Sequence, residues 1–422
     1  MRQLCAFCGL MMVLLSSTEL YAQRNRNIPL AKIYTDSVAA RRKIKKDTTV
    51  LSPKGTPQTD LYAVIGQMLH KNAVPASDSI TSKPVISIVP AIGYTLVSKL
   101  ALVLSGNVAF RTGPDSRVST IVASTSYTQN KQFSIPVQTS IWSKNNKFNY
   151  VGDYRFYKYP QSTFGLGSSS KMSNDNPMDY NFIRFYETAY RRITGNFYAG
   201  IGYMFDDHYN ITDEGNTNGT VSDYSKYGKS FRSISSGFTL SSFYDSRDNG
   251  INPSKGAYAS LQYRGSTTAL GSSSNWHSLT VDVRKYFKFP ANSDNVLALW
   301  SFDWVVLNGT PGYLDLPSVS WDLNSATGRG YIQGRFRGAQ MVYAEGEYRF
   351  RITANGLIGG VVFANVESFS AQQGTRLQAV QPAFGPGLRI KLNKVSKTNI
   401  TIDYGFGTQG SRGLFIDVGE AF

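Results

Sequence analysis

His70, His208 and His277 are the only histidines in the 422-residue chain, so imidazole chemistry has few places to occur. His208 sits in the stretch FDDHYN, next to Asp206 and Asp207. Such a group could hold a cation. Adjacent acids near an outer loop more often form solvated charge or a cation site shared with lipopolysaccharide, and that is the expectation here. A serine hydrolase assembles nucleophile, base and acid in space, but no Gly-x-Ser-x-Gly elbow is present. GFGTQG (405–410) fits Gly-x-Gly-x-x-Gly by letter. A strand pattern follows it instead of a helix, so it reads as a hairpin turn. The residues thus predict a protein that is not an enzyme and holds no cofactor and no metal.

A different chemistry is written in TGRGYIQGRFRGAQMVYAEGEYRFRI (327–352). Its first half interleaves Arg329, Arg335 and Arg337 with glycines. Its second half alternates: Val342, Ala344, Tyr348, Phe350 and Ile352 share one face, and Tyr343, Glu345, Glu347, Arg349 and Arg351 the other. A strand of this kind faces apolar matter on one side and water or packed polar groups on the other.

The elements that position these residues follow from the same pattern. Residues 1–22 read as a secretory signal peptide, with Arg2, the apolar core LCAFCGLMMVLL and a cleavage site after Ala22. Cys5 and Cys8 leave with it, so the mature chain has no thiol chemistry. Residues 23–84 form a polar, basic periplasmic tail carrying RNRN and RRKIKK. Leu61, Val64, Ile65, Met68 and Leu69 fall at helical spacing within it, and Asp60 is placed to cap that helix. The helix is expected to lie on its own barrel, to plug the lumen or to dock a partner.

From residue 85 to 422 the chain reads strand after strand, about 16 in all. No further stretch has the apolar length of a membrane helix. In WHSLTVDVRKYFKF, Leu279, Val281, Val283 and Phe287 oppose Thr280, Asp282, Arg284 and Lys288. In NITIDYGF, Ile400, Ile402, Tyr404 and Phe406 oppose Thr401 and Asp403. Short turns alternate with longer segments near 159–178, 211–230 and 311–338. The predicted fold is an all-β, antiparallel transmembrane barrel in a bacterial outer membrane. A net charge of +16 favours anionic lipid and lipopolysaccharide as surroundings. Nucleic acid is not an expected partner, because no reader motif is present and the chain is exported.

GRGYIQGRFRG followed by a Glu-x-Glu-Tyr-Arg strand resembles the sixth extracellular loop of the BamA/TamA-type outer-membrane assembly superfamily, also called the bacterial surface antigen family. YDSRDNGINPSKG (244–256) is similar to that family's Asp-rich periplasmic turn. The ending FIDVGEAF resembles its C-terminal strand signal, with Gly419 and the terminal Phe422. The resemblance implies a loop folded inward, with Gly328, Arg329, Gly330 and Tyr331 at its tip and Arg329 lodged in the lumen. Glu345 and Glu347 would then meet the guanidinium, and Arg335 and Arg337 would extend the network. The family places an acid and a glycine where this chain has Asn365 and Glu367, which weakens the ion pair expected at Asn365.

The tail is too short and polar for the periplasmic POTRA modules of the family, so a POTRA-less member is expected. The function implied is outer-membrane protein assembly, translocation, or service as a scaffold or accessory subunit. Other assembly components or a second copy of the chain are the implied partners. Two alternatives remain. One is a passive diffusion channel, motivated by Arg264, Asp282, Arg284 and Asp403 on the lumen side. The other is a surface receptor or adhesin acting through the long outer loops.

Overall fold

The computed structural model describes residues 57–68, 84–95, 98–323, 325–394 and 396–422. The expected signal peptide, most of the tail, Leu69 and His70 lie outside the described residues.

The chain from Val85 on is a single antiparallel sheet closed on itself. Its first half comprises β1 (Val85–Thr95), β2 (Lys99–Phe110), β3 (Ser119–Thr128), β4 (Phe133–Trp142), β5 (Phe148–Lys158), the short β6 (Gln161–Thr163), β7 (Asn176–Thr194), β8 (Phe197–Asp213) and β9 (Arg232–Asp245). The second half comprises β10 (Gly256–Ser266), β11 (Trp276–Lys288), β12 (Val296–Gly309), β13 (Gln340–Arg351), β14 (Ile358–Ser370), β15 (Gln381–Asn393), β16 (Thr398–Phe406) and β17 (Arg412–Val418). The three residues of β6 pair only with β7, beside the end of β5. The other 16 strands form the barrel wall, as the alternation predicts. Closure satisfies the backbone groups that an open edge would leave bare in lipid.

Period-two alternation sets the two faces. On β13, Met341, Tyr343 and Glu347 are fully buried in the lumen. On the outer face Leu102, Ile201, Leu240, Phe384 and Val362 are exposed, as a lipid-facing surface requires. The turns at 143–147, 195–196, 289–295, 352–357 and 394–397 lie at one end, and residues 159–175, 214–231 and 310–339 form long connections at the other. Short turns mark the periplasmic end.

Helix α1 (Leu61–Met68) lies against that end. The Asp60 carboxylate accepts from the Ala63 N–H at 2.8 Å, satisfying a free amide of the first turn. Its other oxygen accepts from the Lys394 N–H at 3.0 Å, and the Thr59 N–H donates to the Asn355 carbonyl at 3.0 Å. The helix therefore rests on two periplasmic turns of its own barrel.

The lumen is a packed core along much of its wall. Trp300, Phe302, Met341 and Tyr343 from the strands meet Val319, Tyr331 and Phe336 from the loop 310–339. A second cluster joins Met178, Tyr180 and Phe182 to Tyr313, Leu314, Leu316 and Trp321 of the same loop. The chain's last residues also enter the lumen. The strand signal expected to run through to Phe422 stops at Val418, because Gly419 adopts φ +119° and turns the chain inward. Phe422 then stacks on Trp300 at 5.1 Å and lies 6.2 Å from Tyr286. Phe422→Ala is expected to lower barrel stability by about 3–5 kcal/mol through the cavity it leaves. Denaturant unfolding in detergent measures this, and an unchanged midpoint would remove Phe422 from the core.

Candidate functional site

The tip of the loop 310–339 is built from glycines at positions that need them. Gly328 has φ +75° and Gly330 φ +113°, both in the region that favours glycine. The Tyr331 N–H donates to the Gly328 carbonyl at 2.9 Å and closes the turn. A side chain on Gly330 would meet Ala383 at 2.8 Å. Arg329 projects from this turn toward the lumen wall and is almost completely buried.

Its guanidinium meets three carboxylates. It pairs with Glu345 and Glu347 of β13 and with Asp403 of β16, the last at 2.6 Å. The Phe363 ring lies under it, with the guanidinium carbon 4.0 Å from the centroid. Desolvation alone opposes burial of a charge, and only such a set of partners offsets it. The network then spreads. Arg389 pairs with Asp403, with Glu420 at 2.8 Å and with Glu347 at 3.5 Å. Arg349 pairs with Glu347 at 2.6 Å and donates to the Phe422 carbonyl at 2.9 Å. One polar network thus ties the loop tip, β13, β15, β16 and the C-terminal residues.

Several expected residues meet, and others do not behave as expected. Arg329, Glu345 and Glu347 are in direct contact. Asn365 does not touch the guanidinium through an ion pair; its amide donates to the Arg329 carbonyl at 3.0 Å. The acid that supports Arg329 comes instead from β16, as Asp403. Glu367 is buried beside Gly328, and neither of its oxygens has a hydrogen-bond partner among the described residues. Arg335 and Arg337 do not extend the carboxylate network. Arg335 donates to the Ser170 hydroxyl and carbonyl and to Gln409. Arg337 donates to the carbonyls of Tyr313, Leu314 and Leu316, so both hold backbone in place.

Tyr331 anchors the tip from the other side. Its hydroxyl donates to the Pro382 carbonyl at 2.7 Å and accepts from the Thr408 N–H at 3.1 Å. The Ser411 hydroxyl donates to the Gly330 carbonyl at 2.8 Å. GFGTQG is a hairpin turn between β16 and β17, and it is also the seat of the loop. A Cβ on Gly405 would lie 2.6 Å from the Gly330 backbone, and one on Gly407 2.6 Å from the Tyr331 ring. Sequence reasoning saw the turn and missed the seat, because the spacing of glycines does not say what approaches them.

FDDHYN is not solvated charge. Asp206, Asp207 and His208 are buried within β8. Asp206 binds Arg184 at 3.0 Å and Arg264 at 2.7 Å, and Tyr186 donates to it. Asp207 pairs with Arg232 at 2.7 Å on the other face. His208 stacks on Phe182 at 4.5 Å, and its Nδ1 lies 3.4 Å from Asp315 of the loop. The Ser235 hydroxyl donates to Asp315 at 2.8 Å, so the serine addresses the acid and not the imidazole. That is the wrong order for a nucleophile–base pair. His277 opens β11 and contacts the Tyr263 hydroxyl at 2.8 Å. Arg284 is likewise paired with Asp282 at 2.6 Å. The lumen charges that motivated a channel are thus buried ion pairs.

The seam lies beside this network. Among the described residues, β1 and β17 pair only at Tyr94↔Ile416, whereas β1 and β2 pair along their whole length. The ladder that closes the barrel is its shortest.

Arg329→Ala is expected to cost about 3–5 kcal/mol in loop docking, since it strands buried carboxylates. Arg329→Lys should rescue little, because a point charge cannot span carboxylates on two strands. Protease cleavage within 310–339 reports the loss, and wild-type resistance in both variants would refute it. A second expectation concerns pH. Burial, with the neighbouring Asp206 carboxylate, pushes Asp315 up to about 7, against the pull of Arg264 and the Ser235 hydroxyl. The docked loop therefore favours neutral Asp315. That stability is complete below the ordinary carboxylate range and is lost as pH rises through about 7. Cleavage of the loop should be faster at about pH 8 than at about pH 5. Asp315→Asn should flatten the profile, and an unflattened profile would assign the dependence elsewhere.

Comparison with known proteins agrees with this geometry. No curated protein matches the sequence. BamA from Haemophilus ducreyi lacking POTRA domains 1–3 has a similar structure, with TM-score 0.50 and 11% identity over 90% of this chain and 80% of that one. CdiB from Acinetobacter baumannii is similar with TM-score 0.52 and 11% identity, over 80% of this chain and 59% of that one. CdiB from Escherichia coli gives TM-score 0.53 and 8% identity, over 79% and 62%. The chain thus spans about three fifths of each CdiB chain, and at these identities the likeness is one of fold. The Omp85 superfamily domain matches residues 122–413, well over half of the sequence, and this integral outer-membrane β-barrel belongs to the Omp85 superfamily.

Proposed function

We propose that this barrel works in outer-membrane protein assembly or translocation, as a scaffold or accessory subunit that engages a partner strand at its β1–β17 seam. Omp85 membership supports a function of the assembly and translocation type. The observation that carries the finer reading is the contrast at closure: among the described residues one paired position at the seam, Tyr94↔Ile416, beside a lumen wall tied by the Arg329 network. A short ladder is the place where backbone groups are most readily offered to another strand. The C-terminal residues turn away from the seam at Gly419, which keeps β17 short. The reading is non-enzymatic and assigns the loop motif a locking role.

The paired positions give the test. Tyr94→Cys with Ile416→Cys places two thiols across the seam, and a disulfide there locks it. A photocrosslinker at Ile416 in the unlocked protein is expected to capture an outer-membrane polypeptide, and oxidation of the double variant to abolish capture. Native mass spectrometry of gently extracted protein should show the same partner or a defined oligomer. A lone monomer with no capture at either position would sink the proposal.

One observation favours the channel as a second reading. A cavity of about 1250 Å³ reaches the seam, where Ser105, Asn107, Ser124 and Ser126 of β2 and β3 line it together with Leu102, Leu104, Tyr127 and Ile416. Stepwise conductance in planar bilayers that survives locking of the seam would support it.

A further inference from the structure

At the periplasmic mouth the lumen holds a cavity of about 350 Å³ between the ends of β11, β13 and β15. Its lining is strongly basic, and its cations divide into two groups. Arg349, Arg389, Arg351 and Lys397 are already paired, Arg351 with Asp294 at 2.8 Å and Lys397 with Asp248 at 3.4 Å. Lys288, Lys391 and Lys394 also line the cavity, and among the described residues none of them has an ion-pair partner. The acids on the wall, Asp294 and Glu420, are both taken by arginines. Asn252 and Asn399 direct their amides to Glu420. The wall thus carries seven cations against two carboxylates, and its net charge is positive.

We propose that this mouth is a binding site for a phosphate-bearing anion. Like charges gathered in a partly enclosed space repel, and a bound anion reverses the sign of that interaction. The volume fits one compact headgroup-sized ligand and is too small for an extended chain. Lysines serve phosphate as mobile point charges, each able to turn toward a different oxygen. Basic pockets of membrane proteins collect anionic headgroups. A phospholipid headgroup and a free phosphate share this chemistry.

The test uses the full mature chain in nanodiscs. One arm adds phosphatidylglycerol to a phosphatidylcholine bilayer and counts retained lipid by native mass spectrometry. The other titrates inorganic pyrophosphate into protein in phosphatidylcholine alone. Retention in the first arm identifies a lipid headgroup, and saturation in the second a soluble anion. Lys391→Ala with Lys394→Ala is expected to weaken the positive arm at least about ten-fold, since it removes two of the three lining lysines that have no ion-pair partner among the described residues. Lys144→Ala, in a distant periplasmic turn, should leave it unchanged. Lys394→Gln alone, in the turn after β15, serves if the double variant does not fold, and should show a smaller loss. Equal binding by wild type and variants would overturn the proposal, as would preference for a polyglutamate peptide over both phosphate sources.

Discussion

The burial of one guanidinium organises this molecule. Arg329 leaves water at the tip of a loop that would otherwise remain outside the membrane, and it can do so only where carboxylates converge. Glu345 and Glu347 come from β13 and Asp403 from β16, so the partners lie on different strands of the wall. Arg349 and Arg389 then become necessary, because these acids carry more charge than one arginine neutralises. They in turn hold Glu420 and the carbonyl of Phe422, which draws the end of the chain inward. The glycines at 328, 330, 405 and 407 are the steric condition for the same contact, since side chains there would push the loop off its seat. Removing the arginine therefore reaches well beyond one ion pair.

Much of the fold was legible in the sequence. Period-two alternation is a local property, and each strand carries it independently, so the barrel, its strand number and the inward face of Glu345 and Glu347 follow without knowledge of neighbours. Asp403 was legible only as a lumen residue. Its meeting with Arg329 depends on register across β15 and β16 and on how far the loop descends, which no single segment encodes. Asn365 shows the limit of resemblance: the position is in place beside the loop, but it holds the Arg329 carbonyl, and the acid has moved to another strand. FDDHYN misled because adjacent acids read as solvent-facing until the arginines on β7 and β10 are placed beside them. Arg335 and Arg337 look alike in sequence to Arg329, yet they bind carbonyls and not carboxylates.

The interior and the seam differ in how many contacts hold them. A closed barrel with equal ladders all round would have no preferred place to open. Here the wall from β13 to β16 is cross-linked through the lumen by buried ion pairs, and Tyr331 is fastened at the start of β15 and at the β16–β17 turn. The ladder between β1 and β17 has none of these supports and is one paired position long among the described residues. Deformation under load concentrates where the fewest hydrogen bonds must break. The arginine network thus does more than hold a loop. The same network holds Glu420 and Phe422 in the lumen, and among the described residues the β1–β17 ladder is the shortest of the barrel wall. A loop on the outer face and a seam in the membrane are in this way parts of one mechanical arrangement, joined through charges that neither solvent nor lipid reaches.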